Sequence, residues 1–280
     1  MKSLMIQGTS SGSGKTTLVA ALCRIFSDAD YNVAPFKSQN MSNYSYKGDG
    51  FEISRAQAIQ AVAARCEITP DLNPILLKPR GNYYSLVYLR GKRHKIMHAK
   101  DYYSKFVKTK GLKLVTDSLK NLEKKYDLII MEGAGSPAEI NLEKFDIANM
   151  KIAERTNSPV LLITDIDRGG SFASIIGTMR LLDKKYQKLI KGFVFNKFRG
   201  DLNILRPGFS KLKQNTKKQV YGIIPKVDIN IPEEDSIGEK RPKPITFTKK
   251  NIDQINHEID KLSKLVKKNL NISAIKRLVN

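Results

Sequence analysis

Short apolar runs that end in polar or glycine-containing segments alternate along the chain with longer stretches whose apolar residues recur at helical spacing. The runs fall at 4–7, 32–36, 128–131, 159–164, 192–196 and 219–224. Each is nearly continuous in apolar residues, as in strands buried on both faces, so a parallel sheet is predicted. Helical patterns near 14–27, 52–65, 101–124, 146–156, 170–183 and 202–213 lie between them. That alternation predicts an α/β fold, a parallel sheet with helices on both faces. The segment 83–97 differs: Leu86, Val87, Tyr88 and Leu89, then Gly91, predict a β-ribbon inserted on the sheet's edge. After Glu234 a charged, proline-containing connector at 240–244 leads into amphipathic helical sequence from 252 to about 278. There Ile255, Ile259, Leu262 and Leu265 share a helical face, expected to pack back on the domain or on a partner. The division expected is thus 1–237 as one catalytic-sized domain and 238–280 as connector and C-terminal helices.

Composition changes this picture little. A chain of 280 residues buries a large single core with room for a small appendage. No apolar run approaches the ~18 residues of a membrane span, so no membrane crossing is expected. The chain passes from Met1 and Lys2 directly into a strand pattern, which argues against an export signal. Cys23 and Cys66 are too few for a disulfide framework and lack metal-ligand spacing, which points to a reducing, cytoplasmic location. Both are expected on helices as small buried groups. The 49 Lys+Arg against 27 Asp+Glu give a net charge of +22, compatible with a nucleic-acid partner or an acidic small-molecule substrate. The lysines are scattered in pairs such as Lys124 and Lys125, without interleaved aromatics. A solvated surface is therefore the favoured reading, and no nucleic acid is expected.

The chemistry concentrates at strand ends. Residues 8–17 read GTSSGSGKTT and join a predicted strand to a predicted helix, the context that a phosphate-binding loop requires. Gly12, Ser13 and Gly14 let backbone N–H groups curl toward phosphate oxygens, and the helix N-terminus adds partial positive charge. Lys15 is placed to bridge the β- and γ-phosphates of a nucleoside triphosphate, the Thr16 hydroxyl to complete a Mg²⁺ shell, and Thr17 to follow in the same turn. The spacing from Gly8 to Gly14 is one residue longer than the common form of this loop. Glu132 ends the run at 128–131, where open α/β sheets place ligands, and is a candidate second Mg²⁺ contact. The small-residue turn that follows, through Ser136, lets backbone approach a transferring phosphoryl group. Lys37 ends another run and precedes Ser38, Gln39 and Asn40, donors and acceptors suited to holding a substrate carboxylate. Asp165, Asp167 and Arg168 follow a third run, and Asn196 and Lys197 a fourth. Four such strand ends predict one shared cleft.

Together these segments resemble the cobyric acid synthase family, specifically its ATP-dependent synthetase domain in the dethiobiotin-synthetase-like branch of P-loop NTPases. The likeness runs over about residues 3–237, through VAPFKSQNMS at 33–42, a helix at 52–60 containing Arg55, Ala56 and Gln57, and NPILLKP at 73–79. It continues through EGAGSPAEINL at 132–142, DIDRGG at 165–170, NKFRGD at 196–201 and PEEDS at 232–236. The resemblance implies ATP- and Mg²⁺-dependent amidation of peripheral carboxylates on a corrin: ATP phosphorylates a carboxylate, and ammonia displaces phosphate from the acyl phosphate. Lys15, Lys37, Glu132 and Ser136 become the catalytic candidates. By the same likeness Thr16, Glu52 and Glu132 hold the metal, with Asp49 a weaker candidate, and Asn196 meets the adenine. Ser38, Gln39, Asn40, Glu139, Asn141, Asp167 and Arg168 are the substrate candidates, with Ser136, Glu139 and Asn141 near the reacting carboxylate.

One departure matters. The family carries a C-terminal glutaminase domain with a Cys nucleophile, whereas no Cys follows Cys66 here. Ammonia is then expected to be free or to come from a separate glutaminase subunit, unless the gene is incomplete. A homo-oligomer is also expected. Two other readings stay open: a sibling amidoligase acting on another tetrapyrrole or on the a and c carboxylates, and a nucleotide-switched partition-type ATPase. The latter proteins carry a second Lys five positions before the loop Lys, where this chain has Ser10.

Overall fold

The computed structural model describes residues 2–230 and 244–280; the 232–236 motif and residues 240–243 of the connector lie outside them. The first strand, β1 (Lys2–Gly8), runs through the glycine-rich loop into α1 (Lys15–Ser27) and then β2 (Val33–Phe36). Next come β3 (Gln39–Met41), β4 (Ser45–Gly48), β5 (Phe51–Ser54) and α2 (Arg55–Ala64). The strands β6 (Ile75–Gly81), β7 (Tyr84–Leu89) and β8 (Lys92–His98) precede α3 (Ala99–Asp101), π-helical turns over Tyr102–Gly111, and α4 (Leu112–Glu123). The second half alternates regularly: β9 (Leu128–Glu132), α5 (Met150–Arg155), β10 (Val160–Asp165), α6 (Ser171–Leu181), α7 (Lys184–Leu189) and β11 (Ile190–Phe198). It closes with α8 (Leu202–Thr216), β12 (Gln219–Pro225), α9 (Lys249–Asn269) and α10 (Ile272–Val279).

The six apolar runs of the sequence form one six-stranded sheet in the order β12-β11-β10-β1-β9-β2, with every neighbouring pair parallel. The predicted parallel α/β architecture is therefore observed. Side chains alternate across the sheet, as the two-residue strand period requires. Leu4, Ile6, Leu128, Ile130, Leu161 and Ile163 point to the face covered by α1, α2, α9 and α10. Met5, Ile129, Met131, Leu162, Phe193 and Phe195 point to the face covered by α4 to α8. Because β1 has β9 on one side and β10 on the other, the loop after it sits where the chain reverses its direction of travel across the sheet. Ligands bind at that kind of point in open α/β sheets. Among the described residues no helix is long and apolar enough to cross a membrane.

Three expectations need correction. The ribbon at 83–97 does not extend the edge of the main sheet; β7 and β8 complete a separate four-stranded sheet, β3-β6-β7-β8. Alternation alone identifies a ribbon but cannot say which strand offers it a hydrogen-bonding edge. The helix expected over 52–65 starts only at Arg55, capped by the Ser54 side chain on the Ala56 N–H, so Glu52 belongs to the β4–β5 hairpin. Cys23 is buried within α1, whereas Cys66 is partly buried just beyond α2. Burial raises both thiols, that of Cys66 to about 12, so neither is a ready nucleophile.

The C-terminal helices are part of this packing. Ile255, Ile259, Leu262, Val266, Ile275 and Val279 enter the core on the α1 face. Buried Arg24 of α1 donates to Asp260 Oδ1 at 2.7 Å and to the Asn256 side chain. At the α9–α10 junction the backbone touches β12 directly: Asn271 N donates to Tyr221 O at 2.8 Å. A Cβ on Gly222 would lie 2.2 Å from Asn269 O and 2.8 Å from Leu270 Cα. Gly222→Ala is therefore expected to prise the junction from the sheet and lower stability by about 2 kcal/mol. Urea denaturation checks this, and an unchanged midpoint would show that the helices are not anchored there.

Candidate active site

The loop between β1 and α1 has the close approaches that make glycine necessary. Gly14, the residue capping α1, has φ 100°, and a Cβ there would lie 2.1 Å from Asn196 Nδ2. A Cβ on Gly8 would lie 2.3 Å from Ser13 Oγ and 3.0 Å from Lys15 Nζ. Lys15 is buried, and its ammonium donates to Ser10 O at 3.0 Å and to Gly135 O at 3.1 Å. It thereby joins the phosphate loop to the turn after β9. Asn196 Nδ2 donates to Ser13 O at 2.9 Å and Lys197 Nζ to Gly12 O at 2.8 Å, so the end of β11 buttresses the loop from the other side.

Glu132 is the hub. It is only 1% exposed, paired in register with Ile6 on β1. Its Oε1 accepts from Thr16 Oγ1 at 2.8 Å and from Lys37 Nζ at 2.7 Å. Its Oε2 accepts from Gln60 Nε2 at 2.7 Å and, at 3.5 Å, from Gln57 Nε2. A carboxylate taken out of water at this depth is tolerable only with a counter-charge and satisfied lone pairs, and both are supplied here. The network extends outward, since Asn40 Nδ2 donates to Gln57 Oε1 at 3.0 Å and to Ser54 Oγ at 2.7 Å. Sequence reasoning did not assign Gln57 and Gln60 to this hub. The signal was present: two glutamines three positions apart in the stretch RAQAIQAVAA, which after Arg55 is otherwise small and apolar.

Two clefts flank the loop. One, of about 300 Å³, lies toward β12 and is lined by Gly14, Thr16, Thr17, Asn196, Lys197 and Pro225 among others. The second, of about 280 Å³, lies beyond β9 and is lined by Gln39, Tyr103, Ser136, Glu139, Phe145 and Asn149 among others. Gln39 is fixed by the Tyr102 hydroxyl, which donates to its Oε1 at 2.5 Å. Asn149 clamps the turn after β9, donating to Ala134 O at 2.7 Å and accepting from Ala134 N at 3.1 Å. Ser136 is buried at this turn, while Glu139 and Asn141 are exposed on the following loop. Ser38 is buried after β2.

Some expected neighbours are separated. Asp167 and Arg168 do not join Gln39 and Glu139; they stand on the opposite flank, at the ends of β10 to β12. There Asp167 takes ion pairs from Lys226, at 2.7 Å, and Arg199. Those hydrogen bonds, Lys226 first, hold its carboxyl below the usual range. Buried Asp165 is paired with Lys197 at 2.8 Å, and Arg168 approaches it at 3.6 Å. Glu52 likewise does not share the Thr16–Glu132 contact: its carboxylate accepts from Ser45 Oγ at 2.5 Å and is paired with buried Lys78. Among the described residues there is no cluster of three or more His, Cys, Asp or Glu side chains that could hold a metal.

The loop fits a polyphosphate. Ser13 Oγ is a buried hydroxyl without a hydrogen-bond partner, and a Cβ on Gly8 would meet it together with Ser10 O and Lys15 Nζ. The Thr16 hydroxyl and the Glu132 carboxylate are hard oxygen donors suited to Mg²⁺, which takes one or two carboxylates and completes its shell with phosphate and water.

This loop, placed at the reversal point of a parallel sheet and backed by a strand-end carboxylate, defines a P-loop nucleotide-binding domain. Residues 4–237 match the CobQ/CobB/MinD/ParA nucleotide binding domain, and the chain belongs to that family. Within it, the chain is 52% identical over 240 residues to the probable cobyric acid synthase of Thermococcus kodakarensis, covering 85% of this chain and 49% of that protein. It is 51% identical over 238 residues to the cobyric acid synthase of Caldanaerobacter subterraneus subsp. tengcongensis, with 85% and 46% covered. The corresponding protein of Methanocaldococcus jannaschii, also named a probable cobyric acid synthase, is 50% identical over 238 residues, with 83% and 47% covered. The resemblance read from the motifs is thus borne out, and the chain spans about half the length of the curated relatives it matches.

The hub yields a stability prediction. Lys37→Met removes a buried cation bonded to Glu132 and is expected to cost about 3 kcal/mol. Adding Glu132→Gln should recover part of that loss, and chemical denaturation of the two single variants and the double variant measures the coupling. Strict additivity would mean that the two side chains do not stabilise each other.

Proposed function

We propose that this chain is an ATP- and Mg²⁺-dependent carbon–nitrogen ligase that amidates peripheral carboxylates of a corrin, the step from a cobyrinic acid a,c-diamide to cobyric acid in cobalamin biosynthesis. The observation that carries the reading is the Lys15 bond to Gly135 O, which sets the phosphate loop directly against the wall of the Ser136 cleft. A carboxylate is a poor electrophile because its leaving group would be oxide. Transfer of the γ-phosphoryl group from ATP to a carboxylate oxygen forms an acyl phosphate and releases ADP. Attack by ammonia at the acyl carbon then forms the amide, with phosphate leaving and a proton lost from nitrogen.

In this reading the protein aligns two anions and screens their repulsion. Gly12, Ser13, Gly14 and Thr17 line the phosphate tail, and Lys15 leaves its carbonyl partners for the β- and γ-phosphates. Thr16 and Glu132 hold Mg²⁺, which supplies charge neutralisation; Glu52 would join them only after leaving Lys78. Lys37 orients Glu132 and faces the incoming carboxylate. Ser38, Gln39, Asn40, Ser136, Glu139 and Asn141 receive the corrin edge, while Asn196 meets the adenine. Asp167 and Arg168, reassigned by their position, stiffen the nucleotide flank instead of touching the corrin. Residues 1–237 make the synthetase unit and 238–280 its connector and helical extension. Ammonia is free or delivered by a glutaminase subunit, and the active form is a cytoplasmic homo-oligomer.

Lys15→Ala is expected to lower ATP-dependent phosphate release at least about 100-fold, as loss of one donor to a developing anion does. Turnover close to that of the unaltered protein would refute the assigned loop. Incubation with ATP, Mg²⁺, a corrin a,c-diamide and ammonium should give successive amides by mass analysis. ATP binding without any amide formed would retain the nucleotide site and overturn the corrin assignment.

A further inference from the structure

The cleft toward β12 has a wall that lies outside the family-matched segment. Leu262 and Val266 of α9 line it, facing Leu18 of α1, Ile59 of α2 and Ile224 of β12. Spaced four apart, the two α9 residues lie on one helical face, which turns toward the protein. The mouth of the same cleft is polar and belongs to the phosphate loop, with Thr16, Thr17 and Asn196 at its rim. A slot with apolar walls and a side-chain amide at its opening suits a planar heteroaromatic ring, whose faces are apolar and whose edge carries donors and acceptors. The helix is held in register with the loop by Arg24, which lies on the helix that the loop opens. Arg24 donates to Ala63 O at 2.9 Å as well as to Asp260 and Asn256, tying α1, α2 and α9 together.

We infer that the C-terminal helix α9 backs the nucleoside-base pocket, with Leu262 at the wall that the purine packs against, Val266 buried behind it, and Asn196 at the edge of the ring. The extension is then a binding element and not only a cover for the sheet. This inference rests on the reading of residues 8–17 as a triphosphate-binding loop, and the test separates the two. Isothermal titration calorimetry of the full chain in Mg²⁺ compares ATP with inorganic tripolyphosphate, which engages the loop but has no base. Leu262→Ala should weaken ATP binding about 10-fold, as loss of apolar contact in a ligand pocket does, and leave tripolyphosphate affinity within about twofold. Leu265→Ala, on the same helix and part of its packing but not of the cleft, should change neither ligand. The inference fails if Leu262→Ala binds ATP as the unaltered chain does. It fails equally if that variant weakens ATP and tripolyphosphate alike, since the helix would then act only on the fold. Should the unaltered chain bind neither ligand, the phosphate loop itself is misread and the inference falls with it.

Discussion

The site is organised by one constraint: a carboxylate buried at the end of β9 must be neutralised and its lone pairs filled. Glu132 draws Lys37 from just past β2, Thr16 from α1, and Gln57 and Gln60 from α2 onto two oxygen atoms. Together with Glu132 itself they come from four separate parts of the chain, so satisfying one charge brings those parts into a common geometry. The low dielectric that makes the bare carboxylate costly also strengthens each bond that compensates it. Such an arrangement is pre-organised: a metal ion or phosphate entering there exchanges partners with groups already aligned, and the surrounding packing keeps them aligned.

The phosphate loop is the divide between two unlike clefts. On the β12 side apolar walls from α1, α2, α9 and β12 meet Thr16, Thr17, Asn196, Lys197 and Lys226; on the β9 side Gln39, Glu139 and Asn149 mingle with Tyr103 and Phe145. Lys15 reaches from the loop to Gly135, and Asn196 and Lys197 reach to it from β11. Both flanks are therefore mechanically linked to the same short backbone segment. Lys15 thus ties the loop to the turn that walls the second cleft.

The ion pairs at the ends of β10, β11 and β12 have a different part. Asp165 with Lys197, and Asp167 with Arg199 and Lys226, join three adjacent strands across their carboxyl ends. Arg199 and Lys226 are open to solvent, and pairs of that kind contribute little to stability. Their value here is positional, because Lys197 also holds Gly12 of the phosphate loop. The C-terminal helices add a second brace from the opposite face through Arg24 and the contact between Gly222 and the α9–α10 junction.

The amino-acid sequence alone determined the six parallel strands, the phosphate loop and the polar strand ends, because those features are local. Strand runs at 4–7 and 128–131 carry their own hydrophobic period, and GTSSGSGKTT carries its own turn chemistry. Helical sequence from 252 to about 278 was also readable, since Ile255, Ile259 and Leu262 repeat at a spacing that a helix brings to one face, but the break between α9 and α10 was not. Tertiary structure decided what depends on which distant segments meet. It gave the 83–97 ribbon a sheet of its own, paired Glu52 with Lys78, and set Asp167 and Arg168 at the ends of β10 to β12, away from Gln39 and Glu139. It also turned Gln57 and Gln60 inward onto Glu132. Each of these outcomes is a competition among several charged or hydrogen-bonding partners far apart in the chain. Periodicity records which side of an element is buried, but not which partner waits on that side.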